Sequence, residues 1–76
     1  MELIVSEHGS FIGKHQGRLR VFKDNERKRE VPIMHLRQVI ICGNGVAISS
    51  DAARACSEEG IPIHFIFQQF RLTVEH

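Results

Sequence analysis

Apolar and polar positions are most strongly patterned between Val39 and Phe67. Val39-Ile40-Ile41-Cys42 is a short apolar run that breaks at Gly43-Asn44-Gly45, and a brief Val46-Ala47-Ile48 follows. A helical segment from about Ser50 to Glu59 comes next, then Gly60 and Pro62, and the stretch closes with Ile61 to Phe67, dense in β-branched and aromatic residues. Both apolar runs are too short for helices and are bounded by breakers, which predicts buried strands. A helix between two such strands predicts a crossover unit, right-handed if the strands are parallel. The helix carries its own end signals. Ser49 or Ser50 supplies an N-cap, and Asp51 complements the positive end of the dipole. Gly60 sits where a left-handed residue is wanted, Pro62 stops continuation, and Cys56 and Ile61 take the positions whose contact accompanies a Schellman ending. Ala52, Ala53, Ala55 and Cys56 are small enough to let a backbone approach a sheet, and packing must hold so short a helix.

Upstream, the pattern predicts a strand meander over roughly Met1 to Val31. Glu2 to Ser6, with Leu3-Ile4-Val5 at its centre, reads as a first strand; Glu7-His8-Gly9-Ser10 is turn chemistry, and Phe11 to Lys14 is expected as its hairpin partner. After a second turn at Gln16-Gly17, Arg18 to Lys23 begins in alternation, with Leu19 and Val21 on one face and Arg18 and Arg20 on the other. Phe22 falls on the basic face. Asp24-Asn25 is a tight turn, Arg27 to Val31 returns as a fourth strand, and Pro32 ends it. Ile33-Met34-His35-Leu36 reads as a single helical turn. Beyond Phe67 the polar pair Gln68-Gln69 precedes Phe70 to Val74, which can extend as one more strand. The fold class is α+β: a small β-rich domain, antiparallel strand meander followed by a strand-helix-strand unit.

At 76 residues the chain makes one domain, residues 1–76, and a domain of this size buries only about 60% of the surface its unfolded form exposes. Cys42 and Cys56 lie in apolar or small-residue settings suited to reduced thiols. With no signal peptide and no apolar run long enough to span a bilayer, no membrane contact is expected and the chain reads as cytoplasmic. It also ends without a capping element, as if a second domain or a partner surface completed it. Ten Lys and Arg stand against nine Asp and Glu, so overall charge does not advertise nucleic-acid binding. Its distribution matters more: Arg18, Arg20, Lys23, Arg27, Lys28 and Arg29 share one hairpin, diluted by Glu26 and Glu30. Trp and Tyr are absent and the five Phe are dispersed, with no stacking platform for single strands visible.

Most motif-level chemistry has a plainer explanation. Gly43-Asn44-Gly45 lacks the third glycine of a dinucleotide fingerprint, because Ile48 stands in its place, and serves as a turn needing positive φ. His35, Cys42, Cys56 and His64 lack the paired spacing that places two zinc ligands on one element. No nucleophile signature accompanies Cys or Ser, and the adjacent Glu58-Glu59 point to different sides of a helix end. The residues therefore offer no catalytic centre and no metal site. The basic hairpin has two readings: a solvated charged face that guards sheet edges, or a set of phosphate contacts adding affinity without sequence specificity.

The order of parts resembles one family. An apolar strand ending in Gly43-Asn44, a helix start at Ile48-Ser49, and Gly60-Ile61-Pro62 before a last apolar strand, all after a strand meander, resemble the N-terminal β-rich domain of the universal CRISPR-associated endonuclease, the integrase that inserts new spacers. The resemblance runs from Leu3 to about Phe67. Gly45 adds a residue to the turn, which would lengthen a hairpin there, and Gln68-Gln69-Phe70-Arg71 replaces the family's small-residue turn. The resemblance implies a division of labour. The family's metal-binding Glu, His and Asp lie in a helical C-terminal domain absent from this chain, where magnesium or manganese serves DNA cutting and joining. This chain would then be the dimerisation and assembly part, non-catalytic and without a cofactor of its own. Its implied partners are a second copy, the missing C-terminal domain, a partner subunit of the adaptation complex, and DNA. Arg20 and Phe22 are the expected dimer contacts, and the six cations of the hairpin are the expected nucleic-acid contacts. The competing reading is a stand-alone nucleic-acid-binding module acting through residues 18–29.

Overall fold

The computed structural model describes residues 1–67 and 71–75 of the chain. Their strands form two four-stranded sheets packed face to face. β1 (Glu2–Val5), β5 (Gln38–Cys42) and β7 (Ile63–Ile66) run parallel in the first, with β8 (Arg71–Val74) antiparallel at its edge. The second contains β4 (Glu26–Pro32), β3 (Arg18–Lys23) and β2 (Phe11–His15) as an antiparallel meander, with β6 (Ala47–Ile48) parallel to β2. The helix α1 (Ser50–Glu58) packs against β2. The domain is α+β. The expectation for Gln68, Gln69 and Phe70 lies outside the described residues.

Local chemistry explains the turns. Gln16 and Gly17 adopt φ of 48° and 75°, and Asp24 and Asn25 adopt 54° and 64°. Two successive left-handed residues between paired strands make the turn whose twist matches that of a hairpin. The helix begins where Ala52 N–H donates to Ser49 Oγ at 3.1 Å, so Ser49 is the N-cap and Asp51 lies in the first turn. At its end, Ile61 N–H donates to the Cys56 carbonyl at 2.8 Å and Gly60 N–H to Ser57 at 3.1 Å, a complete Schellman motif. Cys56 and Ile61 are both buried, which fixes the exit direction toward β7. Ile33–His35 forms a single 3-10 turn after Pro32.

The core lies between the sheets. Leu3, Val5, Val39, Ile41 and Ile63 face it from the parallel sheet, and Ile12, Leu19 and Val21 from the meander; Ala52 and Cys56 of α1, with Ile33, Leu36 and Ile61, close its margins. All of these are nearly inaccessible to solvent. At about 25 cal/mol per Å² of apolar surface, this shared interior is the main favourable contribution to folding.

One expected pairing does not form. β1 and β2 are not a hairpin: β1 pairs in parallel with β5, and β2 is in the other sheet. Residues 6–10 form a corner between sheets. The same holds at Gly43-Asn44-Gly45, where the chain passes from β5 to β6 in the other sheet, so Gly45 does not lengthen a hairpin. The reason is a contact between the two corners. Gly9 N–H donates to the Gly45 carbonyl at 2.7 Å, and Ala47 N–H donates to Ser10 at 3.0 Å. β1–corner–β2 and β5–corner–β6 are thus two arches side by side. Glu2 stands opposite Gln38 and Val5 opposite Ile41, Gly9 bonds to Gly45, and Phe11 stands opposite Ala47, a constant separation of 36 residues. The added residue at Gly45 makes the second corner match the first.

Gly43 and Gly45 both have φ of 80°, but only Gly45 is crowded: a Cβ built on it falls within the His8 ring, whereas Gly43 faces open space. Gly43→Ala should cost about 1 kcal/mol from backbone strain alone. Gly45→Ala should cost clearly more, because the His8 ring must move and the arch rung with it. Urea unfolding of the two variants measures the difference; equal costs would show that the His8 contact does not hold the corner.

Candidate interaction face

The outward face of the meander sheet carries the residues singled out from sequence. The Gln16-Gly17 turn fixes the β2–β3 register, and that register places Phe11 directly opposite Phe22 and Gly13 opposite Arg20. Phe11 is 42% exposed, and Phe22 is half-buried. Both rings approach Gly13: a Cβ there would meet the Phe11 ring at 3.2 Å and the Phe22 ring at 3.9 Å. The absence of a side chain at Gly13 lets the aromatic pair lie flat across two strands, an arrangement that stabilises a strand glycine. Shallow depressions flank the pair. One, of about 560 Å³, is lined by Gly9, Lys23, Asp24 and Asn25 with the two rings; the other, of about 300 Å³, reaches Lys14, His15, Ser49 and Asp51.

The six cations of the hairpin do not form one surface. Arg20 Nε donates to Glu30 at 2.6 Å, and Arg27 lies 3.6 Å from the same carboxylate. Register slips between Val21 and Phe22, a bulge that brings Arg27 opposite Phe22. Lys28 pairs with Glu26 at 3.4 Å. Lys23 donates to the His8 carbonyl at 3.0 Å and lies 3.9 Å from Glu7, so it ties the hairpin to the first corner. Arg29 donates to the Ile4 carbonyl on β1, at the edge of the parallel sheet, where a charged side chain hinders strand addition. Arg18 is exposed and has no ion-pair partner among the described residues.

The other residues weighed from sequence are dispersed. Among the described residues no three His, Cys, Asp or Glu side chains gather as a metal site. His64 Nδ1 is 3.0 Å from Thr73 Oγ1 across β7 and β8. Cys42 is half-buried, and burial pushes the Cys56 thiol up, which disfavours its thiolate. Neither cysteine is in a disulfide. Phe11 and Gly13 were missed in the sequence reading. Counting outward from the Gln16-Gly17 turn would have placed Phe11 beside Phe22, once the turn was taken as a two-residue connection.

The hydrogen bond from Arg20 holds the Glu30 carboxyl below the ordinary carboxylate range, with the Arg20, Arg27 and Arg18 charges acting the same way against a desolvation that raises it. A carboxylate whose folded value is depressed contributes stability above its unfolded value and loses it as pH falls through the folded one. Glu30→Gln should therefore lower the melting temperature at neutral pH and weaken its decline on acidification below the ordinary carboxylate range. Thermal melts of both chains from neutral to strongly acidic pH check this; an unchanged acid profile would mean that Glu30 is not the coupled group.

CRISPR-associated endonuclease Cas1 1 of Francisella tularensis subsp. novicida (strain U112) is 38% identical over 64 residues, covering 84% of this chain and 20% of its own length. The chain thus spans about a fifth of that relative. Among the solved structures that share this chain's fold are a complex containing Cas1 and Cas2 and a complex with DNA. A Cas6-RT-Cas1–Cas2 complex superposes with a TM-score of 0.91 at 19% identity, over 100% of this chain and 8% of that one. The TtCas1–DNA complex gives 0.82 at 17% identity, over 99% of this chain and 26% of that one. The family model for CRISPR associated protein Cas1 matches residues 3–75, and the chain belongs to that family.

Proposed function

We propose that this chain is the dimerisation and assembly module of a CRISPR spacer-integrating endonuclease, and that it is not itself catalytic. The observation that carries the reading is the Phe11–Phe22 pair laid over Gly13 on an outward sheet face. A monomeric domain gains little by exposing one aromatic ring and half-exposing another, whereas buried aromatic anchors dominate protein interfaces. Family membership supports the setting: one solved neighbour is a complex containing Cas1 and Cas2, and another holds DNA. By that kinship the partners of the whole protein are Cas2-type subunits and DNA, and the metal chemistry, with magnesium or manganese, belongs to a C-terminal domain. No helix among the described residues is long and apolar enough to cross a membrane; the cytoplasmic setting is part of the same proposal.

The module self-associates through this face as an isologous pair about a two-fold axis. Arg20 and Phe22 are contact residues, and Phe11 joins them. An interface of about 800 Å² per partner is of ordinary size for a specific complex, and full burial of one Phe contributes about 1.5–3 kcal/mol. Sedimentation equilibrium at micromolar concentration should give a homodimer that Phe22→Ser shifts to monomer while the fold is retained. A wild-type chain that stays monomeric at far higher concentration would defeat the proposal.

The second reading, nucleic-acid binding through Arg18, Arg20, Lys23, Arg27, Lys28 and Arg29, draws on Arg18, which is exposed and has no ion-pair partner among the described residues. Glu30 and Glu26 already engage Arg20, Arg27 and Lys28, so the assembly reading expects weak duplex binding at physiological salt and no cleavage with magnesium or manganese. Titration of labelled duplex at two salt concentrations separates the readings. Tight, steeply salt-dependent binding would favour the nucleic-acid module.

A further inference from the structure

We propose that the Asn44–Gly45 peptide is a site of spontaneous covalent modification, at which the folded chain converts Asn44 through a succinimide to aspartate and isoaspartate. In the first step the Gly45 backbone nitrogen loses its proton to solvent and attacks the Asn44 side-chain carbonyl carbon. A nitrogen–carbon bond closes the five-membered ring as the bond to the side-chain nitrogen breaks, and ammonia leaves with the added proton. Water then opens the ring at either carbonyl. Attack on one side gives aspartate, and attack on the other gives isoaspartate, in which the backbone runs through the former side chain. Water is the co-reactant and ammonia the product; no oxidant or reductant is consumed.

Three observations place this chemistry here. Asn44 and Gly45 are both exposed on the corner between β5 and β6, so water reaches both. Among the described residues the Gly45 N–H donates to nothing, although the Gly45 carbonyl is bonded to Gly9, so the attacking nitrogen is free while its neighbourhood is held. Gly45 also has no side chain to obstruct ring closure, and the His8 ring lies where its Cβ would be, so any other residue there requires that ring to move. Asn25 is the internal comparison. It is also exposed, but Glu26 follows it, with a side chain and a place in the β3–β4 ladder opposite Lys23.

The site is consequential because of the matched arches. Isoaspartate adds one backbone carbon to the second corner and none to the first. The rung from Gly9 to Gly45 and the pairing of Phe11 with Ala47 depend on corners of equal length. Conversion also places a carboxylate where a neutral amide stood. The modified chain should retain its core and lose the rung at the corner, a slow change that unties the two arches.

The test uses the full chain in native buffer at neutral pH and physiological temperature. Peptide mapping with fragmentation that separates aspartate from isoaspartate follows positions 44 and 25 over time. Conversion at Asn44 should be about tenfold faster than at Asn25, equivalent to a barrier lower by about 1.4 kcal/mol. Hydrogen exchange on the isoaspartate fraction should show lost protection at the Gly9 amide. An Asn44→Gln chain, incubated alongside, should keep that protection. Conversion at Asn44 no faster than at Asn25 would overturn the site, and unchanged Gly9 protection in the isoaspartate fraction would overturn its consequence.

Discussion

The hydrogen bond from Gly9 to Gly45 is the rung on which the two sheets are aligned. Each of two strands leaves the parallel sheet, turns a corner and enters the meander sheet, and the two run side by side without changing register. A ladder that continues through a corner fixes the position of β2 relative to β6 once β1 is set against β5. It therefore fixes which residues of the meander point inward. Because strand side chains alternate faces, a one-residue mismatch between the corners would turn Ile12 outward or strain the rung. The core of the domain is small, so a misplaced Ile12 has few other contacts to compensate for it.

Chain-local features were legible in the residues. The Gln16-Gly17 and Asp24-Asn25 turns, the Ser49 cap, and the Gly60 ending each depend on a few adjacent positions whose backbone preferences are strong. The β1–β5 pairing depends on residues 36 positions apart, and no local preference encodes it. A turn-like Glu7-His8-Gly9-Ser10 between two apolar segments fits a hairpin and a corner equally well. A clue was nevertheless present. Leu3-Ile4-Val5 and Val39-Ile40-Ile41 are continuous apolar runs, the habit of parallel strands, whereas Arg18 to Val21 alternates as a half-solvated antiparallel strand does. Grouping strands by that contrast separates the two sheets as the structure has them.

The outward aromatic face, the candidate for interaction, was legible in part for a related reason. Phe22 stood out because it broke the alternation of its own strand, but Phe11 looked like an ordinary hydrophobic residue until the turn register put it opposite. The basic hairpin shows the reverse: six cations adjacent in sequence are divided by the pleat and the bulge among the outward face, the first corner and the edge of β1. Charge counted along a strand overstates charge presented to a partner, because alternate residues face different surroundings.

That division bears on what kind of contact the face can make. Arg20 and Arg27 both turn to Glu30, next to the aromatic pair, and Arg20 makes a short, directional bond. A phosphate would have to compete with this carboxylate for the same guanidinium, and in doing so leave Glu30 facing an anion. A protein surface faces a smaller obstacle. The paired charges are already partly satisfied, so covering them removes less hydration than covering free ions, while the Phe rings supply apolar area to bury. The side chains around Gly13 thus favour a dry centre with a charge-paired rim over an open cationic track.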